Sequence, residues 1–349
     1  MKAAIVDRFG EFNDVLSIRN EVAEPKCKRK DLRVSVRCVG LNFFDVLMIA
    51  GKYQFKPSFP FVPGAEFSGV VVEVGEDARG FKVGDHICGQ VQTGAYAEQV
   101  VIPAAHALKI PARMSFKEAA AFPITYPTAY AALVYRANLK SGETVLVLGA
   151  AGGVGHAAVQ VARALGARVI AAVRGKDKVD FALAAGAHEA VDYSHKGWAD
   201  KVRQLSAGGK GVDVVYDPVG GDVFDQSLRC VAWNARLVVV GFASGVIPRI
   251  PANVLLLKNI SVTGVFWGAY AVNEPQKVPK TIQALLGMYE QGKIGPSVSQ
   301  VYLLDDLKRA LQDLKDRKIR GKAVVEVTAD PSNSNPNSNS NQAMLRSRL

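Results

Sequence analysis

The sequence predicts an α/β protein of two domains, a doubly wound parallel sheet and a β-rich partner. Three observations carry this expectation. Strands and helices alternate from about residue 126 to 267, a glycine-rich turn joins the first of those strands to its helix, and the residues before them read as short strands. A chain of 349 residues is also long for one hydrophobic core.

The β-rich part comes first. MKAAIVDRFG opens as a strand, and LRVSVRCVG, FSGVVVEVG and YAEQVVIP follow, separated by Gly, Pro and Asp. EDARGFKVGDHI reads as a turn leading into a strand pair. Within this region VGLNFFDVLMIAGKYQ is mostly apolar, yet Asn42 and Asp45 interrupt it three residues apart and Tyr53 follows Gly51. Polar groups in a buried segment need partners or a task. Structural readings stand beside any functional one: Asn42 as an Asx cap, Asp45 as a carboxylate satisfied by backbone donors, Tyr53 as a loop aromatic.

From about residue 126 the texture changes. ETVLVLGA is a strand, and GHAAVQVARALGA a helix closed by glycine. RVIAAV, DKVDFALAAGA, AVDYS and WADKVRQLSAGG continue the alternation, as do VDVVYD, VFDQSLRCVA, RLVVVGF and NISVTGVFWG. Two helices, PKTIQALLGMYEQG and LLDDLKRALQDLKDR, then precede a closing strand, GKAVVEV. The expected division is residues 1–125 and 268–328 in the β-rich domain, with 126–267 in the parallel-sheet domain. The Asn/Ser/Pro-rich stretch 329–349 has little to bury and is expected to be a disordered tail.

Bulk properties exclude several classes. The longest apolar runs, such as Val254 to Leu257, are too short to span a bilayer, and the N-terminus does not read as a signal sequence. Cys27, Cys38, Cys88 and Cys230 are scattered and fit reduced, mostly buried thiols rather than metal ligands. His86 and Cys88 fall on one face of a strand, but no third metal ligand accompanies them. The formal charge of +11 favours an anionic partner, and its spread along the chain argues against nucleic acid. A small anionic molecule suffices.

The turn LVLGAAGGVGHAAVQVA identifies such a molecule. Gly149, Gly152, Gly153 and Gly155, with Val154, connect a strand to a helix. Glycines let the backbone approach a pyrophosphate, and the helix N-terminus offers N–H groups at the positive end of its dipole. At the end of the second strand an NAD site places an acidic side chain; here Arg174 stands there, with Lys178 close behind and Asp177 between them. Cations at that point suit a 2′-phosphate, so NADPH is the expected cofactor. His156, just inside the helix, can face either the pyrophosphate or solvent.

With this cradle in the middle and a β-rich front, the chain resembles the medium-chain dehydrogenase/reductase superfamily, and more narrowly its zinc-independent quinone oxidoreductase branch. The resemblance rests on VGLNFFDVLMIAGKY, FPFVPGAEFSGVVVEVG, GDHICG, FPITYPTAYAAL, GAAGGVGHAAVQVA, GGDVFDQSL and LLLKNISVTGVFWG, and covers nearly all of residues 1–328. It implies a Rossmann domain beside a GroES-like catalytic domain. Zinc-dependent relatives carry Cys where this chain has Asn42, His where it has Ala65, and a four-cysteine lobe that it lacks. No metal is therefore expected.

The resemblance further implies that Tyr53, Asn42, Asp45 and Thr128 line or support the nicotinamide and substrate cleft. Tyr53 is the proton-donor candidate, Asn42 an orienting partner, Thr128 a contact to the cofactor ring and Asp45 a supporting group. It adds cofactor contacts from Tyr193, Phe242, Phe266 and Lys322, and a homodimer paired near NISVTGVFWG. The implied reaction is NADPH-dependent reduction of a quinone or an α,β-unsaturated carbonyl. A 2-enoyl-thioester reductase and a low-turnover NADPH-binding protein are the alternatives. The terminal Ser347-Arg348-Leu349 is a variant of a peroxisomal address, so the expected compartment is peroxisome or cytosol.

Overall fold

The computed structural model describes residues 1–328; the expected tail and the Ser347-Arg348-Leu349 terminus lie outside the described residues. A six-stranded sheet runs Glu189–Asp192, Arg168–Val173, Thr144–Leu148, Val212–Asp217, Val231–Val239, Ser261–Gly264, with every pairing parallel. Helices such as Gly153–Ala164, Lys176–Ala184 and Trp198–Leu205 connect them. Val145, Leu146, Val147 and Leu148 are fully buried, as a central strand covered on both faces requires. Strand order reverses between Thr144–Leu148 and Val212–Asp217, and at such a switch point a crevice opens at the carboxyl ends of the strands. The doubly wound sheet is as the alternation predicts.

The second sheet is largely antiparallel: Val298–Leu303, Lys322–Glu326, Asp31–Gly40, Glu66–Val74, His86–Gln90, Ala107–Lys109, with Gln99–Pro103 also paired to Asp31–Gly40. It encloses a core that includes Leu32, Val34, Phe67, Ile87 and Ile102. The closing strand thus returns to pair with Asp31–Gly40 near the front of the chain. Helix Lys277–Glu290 packs elsewhere: Leu285 and Tyr289 share a core with Val145, Val147 and Tyr216 of the parallel sheet. Among the described residues no helix is long and apolar enough to cross a membrane.

Two local features position the site. The interrupted apolar stretch proves to be a helix, Phe43–Ile49, that sends Met48 and Ile49 into the β-rich core. The two sheets meet where Gly321 pairs in parallel with Gly152 and donates its N–H to Ala151 O at 2.8 Å. Lys322, the next residue, is thereby delivered to the glycine turn.

Candidate active site

The glycine turn is shaped by backbone contacts. Gly149 adopts φ +60°, and a Cβ on Gly155 would stand 2.3 Å from Gly149 O, so only glycine fits there. A Cβ on Gly153 would meet Lys322 Cδ at 2.8 Å. The helix that follows has no acidic residue in its first turn, which leaves its dipole uncompensated for an anion.

Basic side chains gather where the second strand ends. Arg174 lies over the Tyr193 ring, 5.7 Å from its centroid. Lys178 Nζ donates to Arg317 O at 2.7 Å, and Arg317, at φ 60°, donates to Ala243 O at 3.3 Å. Burial first, then the repulsion of Arg317, Arg174 and Arg320, hold the Lys178 ammonium below its usual range, against the pull of Asp177. Such crowding of cations suits a dianion. Asp177 sits on the first turn of its helix with Arg320 3.8 Å away.

The opposite side is made of side chains. Asp45 is fully buried, and its Oδ2 accepts from the Asn42 N–H and the Tyr96 hydroxyl, both at 3.0 Å. Asp45 is thus the third helical residue reaching back to the N-cap, the geometry of a capping box. Burial pushes its carboxyl up to about 7, opposed by those two donors and by the Lys322 charge. The Asn42 amide donates to Gly40 O at 3.2 Å and to Glu66 Oε1 at 2.8 Å, and its oxygen accepts from Lys322 Nζ at 3.0 Å. Lys322 Nζ also donates to Leu41 O at 2.5 Å and Glu66 Oε1 at 2.6 Å. Glu66, with no exposed surface, completes its set by accepting the Ile124 N–H at 3.0 Å. Tyr53 stacks on Phe44 with ring centroids 5.4 Å apart, and burial followed by the Asp45 charge raises its phenol above the usual range.

One cleft of about 1760 Å³ connects these features. Arg174, Lys178, Tyr193 and Phe242 line one end, and Gly149, Gly152, Gly153 and Val154 the middle. Asn42, Tyr53, Thr128, Phe266 and Lys322 line the other end. Asp45 and Gly155 stand behind the wall, one tying down Asn42, the other allowing the turn. His156 does not reach the cleft; it is buried against Phe181 and bonded to Gln160 at 3.1 Å. Desolvation depresses it to about 4, a neutral imidazole at ordinary pH. Neither expected position for it, pyrophosphate or solvent, is occupied.

Two family models match the chain: "Alcohol dehydrogenase GroES-like domain" over residues 28–112 and "Zinc-binding dehydrogenase" over 153–286. Quinone oxidoreductase-like protein 2 homolog of Nematostella vectensis is 43% identical over 320 residues, covering 91% of this chain and 87% of that protein. The chain belongs to the zinc-independent quinone oxidoreductase branch of the medium-chain dehydrogenase/reductase superfamily. Quinone oxidoreductase-like protein 2 of Mus musculus is 41% identical over 318 residues, covering 91% of this chain and 90% of its own. The quinone oxidoreductase of Escherichia coli, solved in complex with NADPH, superposes with a TM-score of 0.85 at 30% identity, covering 93% of this chain and 100% of that one.

The zinc named in one family description does not fit these residues. Among the described residues no three His, Cys, Asp or Glu side chains converge. Beside Asn42 and Ala65 the donor at hand is Glu66, whose charge is already met by an ammonium. No step is drawn through a metal.

Sequence reasoning missed Glu66, Tyr96 and Arg317. Glu66 carried a signal, a carboxylate opening an otherwise apolar strand, but its partners lie at Asn42, Ile124 and Lys322, far apart in the chain.

Proposed function

We propose that this protein is an NADPH-dependent, metal-independent reductase of quinones or α,β-unsaturated carbonyls. The observation that carries the reading is the continuity of the cleft, from the cationic edge through the glycine turn to Tyr53 and the Lys322 charge. Arg174 and Lys178, joined by Arg317, are proposed to hold the 2′-phosphate, and the turn the pyrophosphate. Tyr193 and Phe242 flank the cationic edge, and Thr128, Phe266 and Lys322 the nicotinamide position. NADPH supplies a hydride, and with one proton the two-electron reduction of a quinone to a hydroquinone is balanced.

The residues then divide the work. Negative charge grows on the acceptor oxygen, where the Tyr53 hydroxyl is the donor proposed to bind it and give the proton. The amide hydrogens of Asn42 are committed to Gly40 and Glu66, so its task is to hold Lys322 rather than to donate to substrate. Asp45 fixes Asn42 from behind. The packing of Lys277–Glu290 supports a domain division in which 277–294 joins the nucleotide-binding unit, with 298–328 returning to the catalytic one. Exposed Leu256 and Leu257, next to the edge strand Ser261–Gly264, fit pairing with a second copy.

A substrate panel tests the reading. With NADPH, 9,10-phenanthrenequinone or 1,4-naphthoquinone is expected to be reduced much faster than crotonyl-CoA. Faster reduction of crotonyl-CoA would assign the chain to the enoyl-thioester reductases, and tight NADPH binding without any turnover to the binding proteins.

A further inference from the structure

We propose that Glu66 is a positioning residue for this reaction, holding the Lys322 ammonium in place at the wall of the cleft, beside Asn42 and the glycine turn. The inference rests on the functional reading above and deepens it. Lys322 Nζ has three hydrogens and three acceptors: Leu41 O, Asn42 Oδ1 and Glu66 Oε1, at 2.5, 3.0 and 2.6 Å. It has none left for a ligand. What it offers the cleft, which it lines while only 5% exposed, is the positive end of its pair with Glu66.

That charge is fixed from two directions. The lysine stem lies against the cradle, with Cδ 2.8 Å from where a Gly153 Cβ would stand, and the backbone before it is pinned by the Gly321-to-Ala151 bond. Its head is held by Glu66, which also orients Asn42 and receives the Ile124 N–H. Glu66 has no exposed surface and does not line the cleft whereas Lys322 does, so the cleft faces the positive end of an ion pair whose field water screens little. A charge already in place costs no reorganisation when negative charge develops on the acceptor. Asp45, Tyr96 and Cys88 also face Glu66; burial keeps Tyr96 and Cys88 neutral and pushes Asp45 up to about 7, and of the two carboxylates only Glu66 bonds the Lys322 ammonium directly.

A purely structural ion pair would hold the sheets together and nothing more. Glu66→Gln, Lys322→Met and the double variant separate the two roles. Three quantities are measured: melting temperature of the cofactor-free protein, NADPH affinity by fluorescence titration, and kcat with 9,10-phenanthrenequinone. Each single change leaves a buried group unpaired and is expected to lower the melting temperature, while the double variant regains most of it. The kcat is expected to fall about 100-fold in singles and double alike, with NADPH affinity changed no more than about 3-fold. Recovery of kcat together with stability in the double variant overturns the proposal, as does a single variant with undiminished kcat. Loss of NADPH affinity equal to the loss of kcat also overturns it, by making Lys322 a cofactor ligand. Wild-type protein inactive toward every quinone and enone overturns the functional reading itself, an outcome distinguished from the others by needing no variant.

Discussion

The two walls of the cleft are built by opposite means. On the nucleotide side, inside a cationic edge of Arg174 and Lys178, the glycine turn is backbone: Gly149 at φ +60°, Gly155 under the carbonyl of Gly149, and a helix start. The opposite wall is a buried polar cluster of Asn42, Asp45, Glu66, Tyr96 and Lys322, drawn from several elements. A backbone site tolerates any side chain that leaves the turn intact. A side-chain cluster is only as good as its weakest hydrogen bond, because each member left unpaired is costly in a low-dielectric interior. Cofactor binding and turnover should therefore respond to different substitutions.

The largest expected effect sharpens that division on the catalytic side. Tyr53→Phe keeps the stacking on Phe44 and removes only the hydroxyl, so kcat for quinone reduction should drop by about 10²–10⁴-fold. Titration of NADPH should give the wild-type affinity. An undiminished kcat would mean that the proton comes from elsewhere. On the nucleotide side Arg174→Ala should weaken NADPH by roughly 10–100-fold, the worth of hydrogen bonds to a charged group. NADH binding should be nearly untouched, and equal weakening of both would remove Arg174 from the phosphate site.

The smallest effect concerns stability. Asp45 carries a folded-state pKa of about 7, raised by burial from 3.8. An acid whose pKa is raised on folding contributes stability at low pH that is lost as pH climbs toward the folded value. Wild type should therefore lose ground to Asp45→Asn between pH 4 and pH 8, by about 2–4 °C in melting temperature for each kcal/mol of linkage. A constant gap between the two proteins would place the ionisation elsewhere.

The same contrast explains what was legible beforehand. The strands from Thr144 to Gly264 announce themselves through apolar runs and glycine turns, because burial on both faces and tight backbone geometry leave local marks. Asn42 and Asp45 were visible as polar interruptions, and their spacing of three is that of a capping box, with Asp in place of the usual Glu or Gln. Helix Phe43–Ile49 spans only seven residues, too few for periodicity to declare it. Glu66 and Lys322 are 256 positions apart, and no local pattern records a pairing that only the closing strand creates. Arg317 reaches the cleft through a left-handed backbone on a non-glycine residue, which composition does not foretell.

Among the described residues, Asn42, Ala65 and the ammonium-bound Glu66 leave no ligand set for zinc, so turnover should need no metal. The direct measurement is the rate of NADPH oxidation by 9,10-phenanthrenequinone, before and after exhaustive dialysis against a chelator, with and without added zinc. The rate should be unchanged throughout. Loss of activity on chelation, restored by zinc, would contradict it.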